Sequence, residues 1–280
     1  MEFFDSHAHY NDEKFEVDRD EIIGELYAEG ITKITCPGYN IKSSQFAIDI
    51  SRKYDQIFAT VGISPNDIED MEVEDLDKIY EIAQNDKVVA IGEIGLDYYW
   101  NKENKEKQKE FFIKQIEIAD KLNLPIVIHC RDAVMDILDI LKNKACPQKR
   151  GIFHCCMLNK ELIKEAVKLG FYISFSGNIT FKTAKPEESV NEVPLDKILI
   201  ETDSPYLAPE PFRGKRNDSG NVKLVAQKIA EIKNLSLEEI AKATYENAKK
   251  IYGIVSWQNL KNMVRYNYNE SIKRRDILWH

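Results

Sequence analysis

The sequence predicts an α/β fold, a closed (β/α)₈ TIM barrel in a single domain. Three observations predict it. Short apolar, β-rich runs alternate with helical patterns along the chain. These runs number eight, the count that closes a barrel. Polar residues cluster at the C-terminal ends of many of the runs. Alternating strands and helices imply a parallel sheet. A doubly wound open sheet is the competing architecture, but it would gather its polar residues in a crevice at one switch point.

The strand candidates are Phe3–His7, Ile31–Cys36, Ile57–Gly62, Val88–Gly92, Pro125–His129, Gly151–His154, Phe171–Phe175 and Ile198–Glu201. Helical patterns between them include Asp18–Glu29, Ser43–Lys53, Asp75–Gln84 and Lys105–Leu122. In the third, Leu76, Ile79, Tyr80 and Ala83 fall on one helix face. Helices over Val222–Lys233 and Ser236–Tyr252 close the main body, and Ser236 with Glu239 three residues on opens the second as a capping box. The barrel thus spans 1–253, and 254–280 form a helical, basic C-terminal extension. There Lys261, Arg265, Lys273, Arg274 and Arg275 face only Glu270 and Asp276, with Tyr266, Tyr268 and Trp279 interleaved. That composition suits contact with nucleic acid or a protein partner. Such a composition is more often a solvated helix packed on the barrel.

With 280 residues and 43% hydrophobic content, the chain can bury a sizeable core. A formal net charge of −8 excludes a basic coat for long duplex DNA, so any phosphate binding must be local or metal-borne. No apolar run approaches the length of a membrane helix and no signal-peptide core precedes the first strand, which points to a cytoplasmic protein. Cys36, Cys130, Cys146, Cys155 and Cys156 are odd in number and lack CxxC spacing, so they read as reduced thiols.

The chemistry concentrates first in Asp5-Ser-His-Ala-His9. Residues two apart on a strand share a face, so His7 and His9 can reach one ion. Of the five histidines, His129 and His154 also close apolar runs, and only His280 lies elsewhere. Glu93 sits between glycines in an apolar strand, where a lone carboxylate is costly unless it meets a cation. Asp203 reads as a ligand or as a helix N-cap before Ser204-Pro205. Asp5 either orients a histidine or caps a turn. Arg131 suits a phosphate fork or a structural salt bridge, and Asp97 and Tyr98 close a turn. Cys155 and Cys156 beside His154 read as buried thiols. Four imidazoles and two carboxylates exceed the three ligands of an open zinc site. They suit two ions about 3.5–4 Å apart, bridged by a carboxylate.

Further motifs extend this set: Gly92-Glu-Ile-Gly-Leu-Asp97, Leu124-Pro-Ile-Val-Ile-His-Cys-Arg131, Gly151-Ile-Phe-His154, Leu199-Ile-Glu-Thr-Asp-Ser-Pro-Tyr-Leu207, Arg213-Gly-Lys-Arg-Asn217 and Asn247 before Tyr252-Gly253. In that order they resemble the TatD-type metal-dependent deoxyribonucleases, a branch of the amidohydrolase-like barrels. The resemblance implies two or three divalent ions (Mg²⁺, Mn²⁺ or Zn²⁺) and hydrolysis of phosphodiester bonds in DNA. It implies a 3′-5′ exodeoxyribonuclease acting on single-stranded or frayed ends. Carried over by position, His7 and His9 would bind one ion, and His129 and His154 the other. Glu93 would bridge the two. Asp203 would be a ligand and accept the proton of the attacking water. Arg131, Arg213, Lys215 and Arg216 would contact phosphates. Ser64 stands where the family usually has histidine. Cys155-Cys-Met-Leu158 replaces an aromatic, Ser/Thr and Gly. Two other readings share the same site: a barrel hydrolase of an ester, lactone or amide, and a nuclease-like subunit that docks a partner through Trp257–His280.

Overall fold

A computed structural model describes residues 1–156 and 158–254. The basic tail Trp257–His280 lies outside the described residues. The strands are β1 (Phe3–Asp5), β2 (Ile31–Pro37), β3 (Ile57–Val61), β4 (Val88–Asp97), β5 (Ile126–Arg131), β6 (Gly151–Phe153), β7 (Tyr172–Phe175) and β8 (Ile198–Ile200). All neighbours pair in parallel and follow the chain from β1 to β8 without reversal. The ends of that sheet meet. Ser6 N–H donates to the Ile200 carbonyl at 3.0 Å, Asp203 N–H donates to His7 at 2.9 Å, and Ala8 bridges Ser204. This sequential, closing order rules out the open doubly wound sheet, whose strand order must reverse.

The outer ring comprises α1 (Arg19–Leu26), α2 (Ile41–Lys53), α3 (Leu76–Ile82), α4 (Lys105–Leu122), α5 (Val134–Asn143), α6 (Lys160–Lys168), α7 (Glu187–Glu192), α8 (Val222–Lys233) and α9 (Leu237–Ile251). Helices α5, α6 and α7 were not among the helical patterns singled out above. At 10, 9 and 6 residues they are shorter than the window over which a 3.6-residue period stands out. Chain ends of the helices are set locally. Asn40 and Ser43 exchange side chain-to-backbone bonds at the start of α2, and Ser236 and Glu239 do the same for α9. The left-handed Asn123 and Asn234 stop α4 and α8.

Strand β4 departs most from its expected bounds, running to Asp97 instead of stopping at Gly92, and every one of its residues is buried. Its pairing with β5 slips between Ile91 and Ile94: three steps on β4 match two on β5. This is a bulge, which inserts one unpaired residue and re-aims side chains. Gly92 and Gly95 flank it because β5 comes too close for anything larger. A Cβ on Gly92 would lie 2.6 Å from the Val127 side chain, and one on Gly95 2.0 Å from the His129 carbonyl oxygen. The bulge carries Glu93.

Opposite the strands' C-terminal ends, α9 plugs the barrel. Phe4, Val127, Ile152, Tyr172 and Leu199 form one buried cluster with Ala248, Ile251 and Tyr252. Phe4 stacks on Tyr252 with centroids 5.8 Å apart, the Tyr252 hydroxyl donates to Ser6, and Asn247 donates to the carbonyls of Leu195 and Ile198. The plug seals the bottom, so polar groups inside the barrel open only toward the top, where active sites of such barrels sit.

Candidate metal centre

All six ligand candidates lie at that top. His7 and His9 follow β1, which ends two residues earlier than expected, at Asp5. Their backbone is held on both sides. Ala8 N–H donates to Thr35, and His9 N–H donates to Ser204 at 2.7 Å. The Nε2 atoms of His7 and His9 are 3.1 Å apart. Asp203 Oδ1 lies 3.4 Å from His9 Nε2 and 3.7 Å from His7 Nε2. Asp203 itself is left-handed, at φ 54°, and no helix begins there. Its N–H instead joins β8 to β1 through the His7 carbonyl, so the N-cap reading falls away.

A second group forms on β4, β5 and β6. Glu93 Oε1 is 2.8 Å from His129 Nδ1 and 3.1 Å from His154 Nε2. The other oxygen, Oε2, faces the first group at 3.6 Å from His7 Nε2 and 3.8 Å from His9 Nε2. One carboxylate thus has an oxygen in each group, as a bridging ligand requires. The rings of His7 and His154 lie parallel between them, with centroids 4.0 Å apart.

Two acids that the sequence reading did not place in the site belong to it. Asp97 Oδ2 meets His129 Nε2 at 2.9 Å, which sets the ring so that Nδ1 points at Glu93. Its other oxygen does close the turn expected there, accepting from the Tyr99 and Trp100 N–H groups. Strand alternation was the available signal, since Glu93, Gly95 and Asp97 are two apart. Glu201 is buried beside His154, with Oε1 3.5 Å from His154 Nδ1 and accepting from Cys155 N–H at 2.6 Å. It sits two residues before Asp203, so the same spacing argument applies. Among the described residues, Asp5 orients no imidazole. Its carboxylate accepts from Thr202 and Ser219 hydroxyls at 2.6 Å and from the N–H groups of Thr202 and His7, tying β1 to the loop after β8.

The phosphate candidates divide. Arg131 lies at the end of β5 with its guanidinium 3.9 Å over the Tyr99 ring. Arg213 and Lys215 are exposed on the β8–α8 loop and sit over Phe181 and Phe212. Arg216 has a different role: it forks onto Asp18, with bonds of 2.9 and 2.5 Å, and donates to the Lys14 carbonyl, which pins the loop to the stretch before α1.

Electrostatics couple these groups. Burial opposes charge on Glu93, yet His154, His129 and His7 hold its carboxyl well below the usual range. Burial likewise opposes charge on Asp203, and His9 holds it low. Burial and the neighbouring His154 push His7 down. For His9, His129 and His154 burial is outweighed by adjoining carboxylates, and all three are raised. Asp97 is held at about 2, burial being overcome by His129 and the Trp100 N–H.

This donor set fits divalent cations. The ligand atoms of His7, His9 and Asp203, of Glu93, His129 and His154, and of His7, His154 and Glu201 each lie within 4.8 Å of one another. Among the described residues, the ion-pair partners of Glu93 and Asp203 are histidines only. His154 Nδ1 and Glu201 Oε2 are buried without a hydrogen-bond partner there. Buried carboxylates of this kind are stable only when a cation meets them.

A closed (β/α)₈ barrel with such a cluster at its top defines a metal-dependent hydrolase. Comparison with known proteins agrees and makes the class particular. The chain belongs to the TatD family: the family model described as TatD related DNase matches residues 4–253. It is similar to the uncharacterized metal-dependent hydrolase YabD of Bacillus subtilis, 47% identical over 90% of this chain and 99% of that protein. It is 31% identical to the protein named 3′-5′ ssDNA/RNA exonuclease TatD of Shigella flexneri, over 90% and 99% of the two chains. Among solved structures, the TatD homologue YjjV of Escherichia coli superposes with a TM-score of 0.84 at 25% identity, over 90% and 98%. Among the described residues no helix is long and apolar enough to cross a membrane.

Proposed function

We propose that this chain is a divalent-metal-dependent phosphodiesterase that removes nucleotides from single-stranded or frayed DNA ends in the 3′-5′ direction. The observation that carries the reading is Glu93, whose two oxygens each face a separate histidine group. Two ions held by His7, His9 and Asp203 and by His129 and His154, with Glu93 between, would supply Lewis-acid activation of a water and of the phosphoryl oxygens. The chain's own residues do the rest. Asp203, held low by His9, would accept the proton of the attacking water. Asp97 fixes His129, and Glu201 lies against His154. Arg131, Arg213 and Lys215 are cations suited to the substrate's phosphates, each over an aromatic ring. The family description and the printed name of the Shigella flexneri relative support nucleic acid as substrate, and the polarity rests on that name.

The test uses metal-stripped protein reloaded with Mg²⁺, Mn²⁺ or Zn²⁺ and given end-labelled single- and double-stranded DNA, beside Glu93→Ala. A ladder shortening from the 3′ end in wild type and absent in the variant is the expected result. Hydrolysis of carboxylic esters or lactones without any cleavage of DNA would replace this reading with that of a carbon-ester hydrolase.

A further inference from the structure

We propose that Trp100 and Tyr99 form a stacking platform for an unpaired base, with Arg131 meeting the adjoining phosphate, so that the strand being degraded reaches the metal centre across β4 and β5. The proposal rests on the nuclease reading above and adds the path of the strand.

Trp100 is the most exposed aromatic side chain among the described residues, at 69%, and Tyr99 is 50% exposed. An indole left open to water beside a catalytic cleft is a surface awaiting a flat partner. Base–aromatic stacking tolerates any sequence because every base has a π-face. The two rings meet edge to face, with centroids 4.9 Å apart at 88°. Arg131 covers one side of this pair, its guanidinium 3.9 Å from the Tyr99 centroid and 5.5 Å from that of Trp100. Ring and cation side by side match the two parts of a nucleotide, base and phosphate.

The platform is tied to the metal centre through one side chain. Asp97 holds the His129 ring with Oδ2, while Oδ1 accepts the backbone N–H groups of Tyr99 and Trp100 at 2.9 and 3.0 Å. Alternation along β5 places Arg131 on the same face as His129. A base on Trp100 therefore sits at a fixed offset from the second ligand group, as a nucleotide next to the scissile phosphate must.

On the side of His9, whose ring lies 5.9 Å from that of Tyr39, a cavity of about 560 Å³ sets Asp12, Glu13 and Glu16 against Arg19 and Lys42. Arg19 already donates to the carbonyls of Tyr10 and Asp12. That wall keeps an excess of acid and favours a polyanionic strand less than the side of Arg131 does.

The experiment uses the full-length, metal-loaded enzyme and two substrates, a 3′-labelled oligothymidylate and bis(4-nitrophenyl) phosphate, a diester too small to span the platform. Trp100→Ala is expected to lower the ratio of kcat/KM on the oligonucleotide to that on the small diester by about tenfold, mainly through KM, and Trp100→Phe to restore most of it. An abasic nucleotide at the stacked position should weaken wild type by the same factor and Trp100→Ala no further. If the ratio stays at its wild-type value in both Trp100→Ala and Tyr99→Ala while wild type degrades oligonucleotides, the platform is overturned and the nuclease reading stands. Wild type that turns over only the small diester overturns both.

Discussion

The imidazole rings of His7 and His154 lie parallel, 9° apart in plane and 4.0 Å between centroids, and they join the set of His7, His9 and Asp203 to that of Glu93, His129 and His154, sharing a third with Glu201. The two groups are therefore one packed unit in which each histidine limits the position of the other. Glu93 joins them a second time through its two oxygens.

Removing Glu93 should therefore disturb both groups, whereas removing His129 should disturb one. Glu93→Ala is expected to bind less than one ion per chain and to lose about 10³-fold or more in kcat, since charge stabilisation of several kcal/mol is lost. His129→Ala is expected to keep one ion. Metal content by mass spectrometry after gel filtration checks both. Two ions retained in Glu93→Ala would show that the carboxylate is not the bridge.

Asp97 acts through His129. Asp97→Asn keeps the shape and the turn-closing acceptor but presents a neutral partner to the ring. Metal affinity or activity should fall about 10- to 100-fold, the usual cost of losing a carboxylate behind a ligand histidine. The far-ultraviolet dichroism should not change. Titration with a competing chelator measures the affinity.

Metal uptake should release protons. In the metal-free site the adjoining carboxylates raise His9, His129 and His154, whereas an ion binds only neutral imidazole. Affinity should thus rise with pH across the histidine range. The sign for folding is opposite in the metal-free protein. A histidine raised above its unfolded value stabilises fully below about pH 6.5, and that contribution is lost as pH rises through the folded value. Calorimetry in buffers of different ionisation enthalpy counts the protons; a count of zero would contradict these shifts.

The α9 plug is a stability element separate from the chemistry. Asn247→Ala leaves the carbonyls of Leu195 and Ile198 without their shared donor, at a cost of about 1–3 kcal/mol. Thermal unfolding should shift down by several degrees while kcat per folded molecule is retained.

The barrel was legible because its signals are local. Eight apolar runs alternate with helices, and His7 and His9 share a face by strand parity alone. The capping box of α9 was equally local, and the structure has it. The short helices α5 to α7 were not legible, because too few turns carry their period.

By itself the sequence determined the barrel, the top of the barrel as the site, and the six residues from which an ion-binding cluster could be built. Tertiary structure decided how they meet. The one-residue bulge in β4 turned Glu93 between two histidine groups. Cross-strand register brought Asp97 to His129 and Glu201 to His154. Loop geometry turned Arg216 toward Asp18 and left Trp100 open to solvent. Strand parity fixes which residues share a face. Which atoms touch across strands depends on register, bulges and loop paths, which the packing of the whole barrel sets.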